Sequence, residues 1–242
     1  MRRMDHVYVG TSDTAYDGSL DAPRATRSDV LDLLAMVQDC FPEAGLTIDD
    51  VRATWAGVRP LIAEEGKSTR DTSREDEVWH GPPGLITIAG GKLTTYRRMA
   101  GRAIEEVSEE LGTPPVDEDR TEEDLLTGAP RGDTATWVEE RLGQLRGAGV
   151  EEGALQRLGW LYGRQLDALI ALGGEDPEWL SPLAPGLPVI RGEVKLAVES
   201  EMAMTLIDAM DRRLALLLFV EDSALSGVTE AAKIMGDVLG WD

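Results

Sequence analysis

Cysteine is nearly missing from this sequence of 242 residues. Cys40 stands alone, so no intramolecular disulfide can staple the fold, and a single cysteine of this kind reads as a small buried residue. Histidine is almost as scarce, with His6 and His80 only, and no metal site is expected. Long apolar runs are absent too. The longest, Leu214 to Val220, falls far short of the roughly 20 residues that span a bilayer. No apolar stretch follows Met1-Arg2-Arg3-Met4, which is therefore not expected to act as a secretory signal. Positive charge is the other deficit: 24 basic residues stand against 45 acidic ones, for a net charge of −21. Such a surface repels nucleic acid and anionic lipid, and no nucleic-acid partner is expected. Only four of the basic residues are lysines (Lys67, Lys92, Lys195, Lys233). An acidic, lysine-poor chain suits concentrated salt; an arginine bias from GC-rich codons on an ordinary acidic surface gives the same count.

What remains is ample for a core, with 42% hydrophobic residues, and the length favours two domains. Val7 to Gly10 reads as a strand, and Thr11 to Arg24 as a loop. Residues 28 to 40 read as a helix capped by Thr26 or Ser28, with Val30, Leu31, Leu34, Val37 and Cys40 on its apolar face. Thr47 with Asp50 three positions on marks a short helical or turn entry. Val51 to Val58 reads as a strand leading to Arg59, and Ala63 to Val78 as a polar hairpin or loop. His80-Gly81-Pro82-Pro83-Gly84 is a turn in which His80 reads as a turn residue. Thr113-Pro114-Pro115 stops a helix, and a boundary is expected at about residues 112 to 130. Helices are then expected over Asp133–Leu145, Glu151–Trp160, Arg164–Ala171, Glu193 to about Val220, and Thr229–Leu239. Within the longest of these, Asp208 and Arg212 sit four apart and read as an ion pair that holds helices in register. The expected fold class is α+β, with strands and helices over residues 1–120 and an all-α domain over 121–242.

The chain is organised around Ile86-Thr87-Ile88-Ala89-Gly90-Gly91-Lys92-Leu93-Thr94-Thr95-Tyr96. Leu85 to Ile88 reads as a buried strand. After the two glycines, apolar residues recur at helical spacing through Leu93, Tyr96, Met99, Ala100, Ala103, Ile104 and Val107. Strand, Gly-Gly, helix is an arrangement that binds anions, because glycines let a ligand approach the backbone and the first helical N–H groups have no internal partner. Lys92 at that helix start opposes the macrodipole unless an anion is present. From these residues alone, an ordinary strand-to-helix turn with a solvated lysine stays open.

Gly90-Gly91-Lys92-Leu93-Thr94-Thr95-Tyr96-Arg97, followed by Met99-Ala100, resembles the signature of the FAD-dependent glycerol-3-phosphate dehydrogenases. Three further stretches resemble that family in its own order. They are Val7-Tyr8-Val9-Gly10-Thr11-Ser12-Asp13-Thr14, Ala56-Gly57-Val58-Arg59-Pro60-Leu61 and Ser73-Arg74-Glu75. Ser12 replaces the usual Thr, a conservative departure. The resemblance begins near the family's middle and runs, more weakly, into the last helices.

The resemblance implies oxidation of sn-glycerol 3-phosphate to dihydroxyacetone phosphate by hydride transfer to FAD, with electrons passing to quinone, or to oxygen in the oxidase branch. It implies that Gly90, Gly91, Lys92, Leu93 and Thr94 meet the flavin. Lys92 then acts at the substrate oxygen or the flavin, and Arg59 and Arg74 clamp the substrate phosphate. The family's G-x-G-x-x-G cradle for the dinucleotide occurs nowhere in these residues. Neither His6 nor His80 matches the family's substrate-facing histidine. The chain therefore looks like the C-terminal half of the enzyme, a flavoprotein portion expected to hold no FAD and show no activity alone. Its implied partners are glycerol 3-phosphate, quinone in the complete enzyme and a separate FAD-binding half. The implied location is cytoplasmic, and a peripheral place on the cytoplasmic face of the membrane is open to the complete enzyme. A non-catalytic interaction or scaffold protein derived from the family is the competing reading, and an independent phosphate-ligand binder the third.

Overall fold

The computed structural model describes residues 2–3, 6–59, 62, 76–114, 120–216 and 220–241. They form an α+β chain with two small antiparallel sheets and a C-terminal region of helices. Two compact units emerge, one of residues 12–27 and 55–124, the other of residues 1–11, 28–54 and 125–242. Among the described residues, no helix is long and apolar enough to cross a membrane.

The larger unit opens with a minimal ladder, β1 (Arg2–Arg3) against β2 (His6–Val7), shorter than the strand expected from Val7 to Gly10. Helix α1 (Arg27–Cys40) matches its expected span, yet none of its residues is buried. Cys40, expected inside, is exposed because it ends a helix whose apolar face is incompletely covered. At Thr47 the local signal holds: its N–H and hydroxyl donate to Asp50 Oδ2 at 2.8 and 3.0 Å, opening a 3₁₀ turn over Ile48–Asp50. Residues 51–59 carry no regular structure, so the strand expected over 51–58 is absent. No ladder partner lies beside this run among the described residues, and β-branched residues need one to settle as a strand.

The core lies in the C-terminal helices. Helix α4 follows α2 (Tyr96–Leu111) and the short α3 (Arg120–Glu123), which belong to the smaller unit. α4 (Thr134–Gly147) starts where the N-cap Asp133 Oδ2 accepts the Thr136 N–H at 2.7 Å. With α5 (Glu152–Leu161) and α6 (Leu166–Glu175) it encloses Leu145, Leu155, Leu158, Leu166 and Leu169, each at most 1% exposed. A second cluster, around Val194, Ala209, Leu214, Ala231 and Met235, joins α7 (Arg191–Glu201) to α8 (Val228–Leu239).

The single helix expected from Glu193 to about Val220 breaks after Glu201. Met202 turns left-handed at φ 56, and a π-helical stretch follows at Asp208–Arg213. Side chains hold the break. Arg213 Nε donates to the Glu201 carbonyl at 2.7 Å, and Asp208 Oδ2 accepts the N–H groups of Met204 and Thr205 at 3.1 and 2.9 Å. Asp208 also pairs with Arg212 at 2.8 Å, across the four-residue spacing noted above.

Candidate functional site

The smaller unit is built on a hairpin, β3 (Asp76–His80) against β4 (Ile86–Gly90), in a register that sets Val78 opposite Ile88 and His80 opposite Ile86. The polar stretch thus conceals a strand that the sequence did not resolve from loop. Its turn is closed by Gly81 N–H to the Leu85 carbonyl and by Leu85 N–H to the Pro82 carbonyl, both at 2.9 Å.

β4 runs into the Gly-Gly step. Gly90 and Gly91 take φ of 81° and 73°, where a side chain is strained. A Cβ on Gly91 would lie 2.4 Å from Met99 Sδ, so the chain also needs glycine there for space. Lys92 is extended, a 3₁₀ turn covers Leu93–Thr95, and α2 follows. Thr95 clamps this corner: its N–H and its hydroxyl both donate to the Lys92 carbonyl at 2.9 Å.

The corner forms one side of an open cleft of about 440 Å³, lined by Ile88, Gly90, Gly91, Lys92, Leu93, Tyr96, Met99 and Ala100. Four of the expected cofactor-facing residues therefore share one cleft, namely Gly90, Gly91, Lys92 and Leu93; Thr94 is outside its lining. Leu93 is 88% exposed and Tyr96 55%. The Lys92 ammonium has no ion pair or hydrogen bond among the described residues. In a chain with 45 carboxylates that is informative. Two arginines of α2 do find acids, Arg97 with Glu122 and Arg102 with Asp76.

At the far end of the hairpin, His80 Nε2 lies 2.8 Å from Glu106 Oε2, and Nδ1 lies 3.6 Å from Glu110. Glu110 also accepts the Gly84 N–H at 3.0 Å. The hydrogen bond to Glu106 above all, with both negative charges, raises the imidazole pKa. His80 ends a strand and ties it to α2. The turn role expected for it was too modest.

Arg59 does not line the cleft. Its Nη1 donates to Asp13 Oδ2 at 2.6 Å, which brings together two of the sequence motifs. Arg74, the other expected phosphate ligand, and Ser73-Arg74-Glu75 as a whole lie outside the described residues, as do Pro60 and Leu61. Sequence reasoning gave no role to Asp13, although it sits in a recognised motif, and it placed Tyr96 and Met99 only on a helix face.

The stretch that carries the glycine corner falls within a known family. Residues 1–97 match the family model described as FAD dependent oxidoreductase, and residues 119–242 match that for the C-terminal domain of alpha-glycerophosphate oxidase. The second match alone covers half of the sequence. The chain belongs to the FAD-dependent glycerol-3-phosphate dehydrogenase family. Aerobic glycerol-3-phosphate dehydrogenases of this family from Staphylococcus saprophyticus and Staphylococcus aureus are 32% identical over 246 residues and 33% identical over 245. Each alignment takes in 99% of this chain and 43% of the relative, so the chain spans well under half the length of these enzymes. The fold agrees with the family as well. The glycerol-3-phosphate dehydrogenase of Bacillus halodurans, solved in complex with FAD, superposes with a TM-score of 0.72 at 31% identity, over 96% of this chain and 44% of that one.

Proposed function

We propose that this chain is the substrate-facing part and helical cap of a flavin-dependent glycerol-3-phosphate dehydrogenase, oxidising sn-glycerol 3-phosphate to dihydroxyacetone phosphate and passing electrons to quinone. One observation carries the reading: an open, mostly apolar cleft lined by Gly90, Gly91 and Lys92, a lysine whose ammonium has no partner among the described residues. When bound, FAD supplies the hydride acceptor for the substrate's C2 carbon. The residues fit one edge of such a group. Gly90 and Gly91 leave the backbone bare, and the N–H groups of Leu93 and Thr94 open a helical turn where no earlier carbonyl of that turn can accept them. Negative charge at the cleft mouth is stabilised there by these donors and by the Lys92 ammonium. The residues fit nothing of the pyrophosphate, for which the sequence has no Gly-rich cradle. We therefore assign FAD to the complete enzyme and not to these residues alone.

Arg59 and Arg74 are assigned to the substrate phosphate, since a guanidinium fork matches two phosphate oxygens at once. The domain division belongs to the same proposal, with residues 1–120 facing flavin and substrate and 121–242 forming the helical cap. In the smaller unit, Ser108 is the only buried residue among those described, and no hydrophobic side chain there is buried. A unit with so little buried among its described residues suits one that is completed by an FAD-binding half.

The test has two arms. The 242-residue chain mixed with FAD should show no bound-flavin spectrum. Supplied with an FAD-binding half, it should bleach flavin on addition of glycerol 3-phosphate. In that assembly Arg59→Ala should raise KM about ten- to a hundredfold with kcat little changed, the weight of a charge-assisted bond. Arg59→Lys should restore little of this, because a point charge lacks the fork. Lys92→Ala should lower kcat instead. Wild-type KM and kcat in both alanine variants would overturn the assignment.

A further inference from the structure

Asp13 and Arg59 are 46 residues apart and meet in a single contact, Nη1 to Oδ2 at 2.6 Å. We propose that Asp13 is a positioning residue for substrate binding, pinning the Arg59 guanidinium so that its remaining donors are presented to the phosphate of glycerol 3-phosphate. The proposal rests on the phosphate role given to Arg59 above.

Three observations carry it. First, the pair joins one nitrogen to one oxygen, and Arg59 makes no other hydrogen bond or ion pair among the described residues. The edge formed by Nε and Nη2 is thus free, and that edge matches two oxygens of an anion. Second, stability does not explain the pair. The two side chains are 46% and 58% exposed, and ion pairs so placed contribute little. Third, no regular structure holds either partner, because residues 11–17 and 51–59 belong to neither helix nor strand. An arginine on such a segment samples many rotamers, and ordering it only when ligand arrives weakens binding. Asp13 restricts the arginine beforehand. The contact is made at Nη1 and not at the edge left for the phosphate.

The experiment follows the arginine Nε–Hε signals of the isotope-labelled 242-residue chain by NMR during titration with glycerol 3-phosphate and, separately, inorganic phosphate. In the wild type the Arg59 signal should shift with saturation, and in Arg59→Ala that response should vanish. Asp13→Ala should weaken binding about tenfold, whereas Asp13→Asn, which keeps the acceptor oxygen, should stay within about threefold. Without ligand, rotation about the Arg59 Nε–Cζ bond should be faster in Asp13→Ala than in the wild type. Equal or tighter binding by Asp13→Ala, or unchanged rotation, overturns the role of Asp13 and leaves that of Arg59 standing. A wild-type Arg59 signal indifferent to both ligands removes the phosphate role and this proposal with it.

Discussion

Arg157 and Glu193 lie 36 residues apart, and both side chains are fully buried. Charges so placed are tolerable only if every oxygen and most N–H groups find partners. Here Arg157 donates to Glu193 and to the Leu214 carbonyl, while the other Glu193 oxygen accepts the Ile190 N–H at 2.9 Å. Tyr162 lies beside them, and burial, with the Glu193 charge adding to it, pushes its phenol well above the usual range. Glu193→Ala should destabilise the chain by about 3–5 kcal/mol, because it strands a buried cation. Urea unfolding of the variant measures this, and Arg157→Met with Glu193→Leu should recover most of the loss. Caps such as Thr47 with Asp50 were legible because both partners sit within one turn. Arg157 gave no such sign. Its partner lies two helices further on, and only the packed core brings the two together.

At the scale of elements, α2 shows both what periodicity reveals and where it stops. The stripe from Tyr96 to Val107 marked the helix, and its span to Leu111 is observed. Which part of the stripe is covered was not encoded in it: Met99 and Ala103 are partly buried, whereas Tyr96 is 55% exposed and Ile104 45%. The break after α7 was equally hidden. Met202 is no helix breaker, and its conformation is set by Asp208 and Arg213 from beyond the turn. His80 ties the hairpin to α2 in a way that depends on pH. Its folded pKa is raised by Glu106 and Glu110 above the ordinary value of about 6.5, so the pair contributes fully below that value. The contribution is lost as pH rises through the raised folded pKa. Amide exchange at Gly81 and Leu85, corrected for intrinsic rates, should therefore show protection falling over that interval. His80→Gln should flatten the dependence, and a wild-type profile that is already flat would exclude the tie.

For the whole molecule, 45 acids against 24 bases make self-repulsion the dominant long-range term. If that surface is tuned to salt, the thermal midpoint should climb from dilute to about molar monovalent salt, since screening shortens from tens of ångströms to a few. A flat or falling midpoint would mark an ordinary acidic surface. Composition made this charge plain from the start, but it could not show where the interior lies. Apart from Pro130, every apolar side chain buried among the described residues falls between Leu142 and Met235. Among the described residues the buried core is thus confined to one part of the sequence, in a way that heat would reveal. Unfolding raises heat capacity in proportion to the apolar surface newly wetted, at about 12–15 cal/mol/K per residue in an evenly packed protein. A chain of 242 residues should on that scale give about 3 kcal/mol/K, but one whose interior is confined to its last hundred or so should give about half. In a calorimeter this protein should unfold with the signature of one half its size.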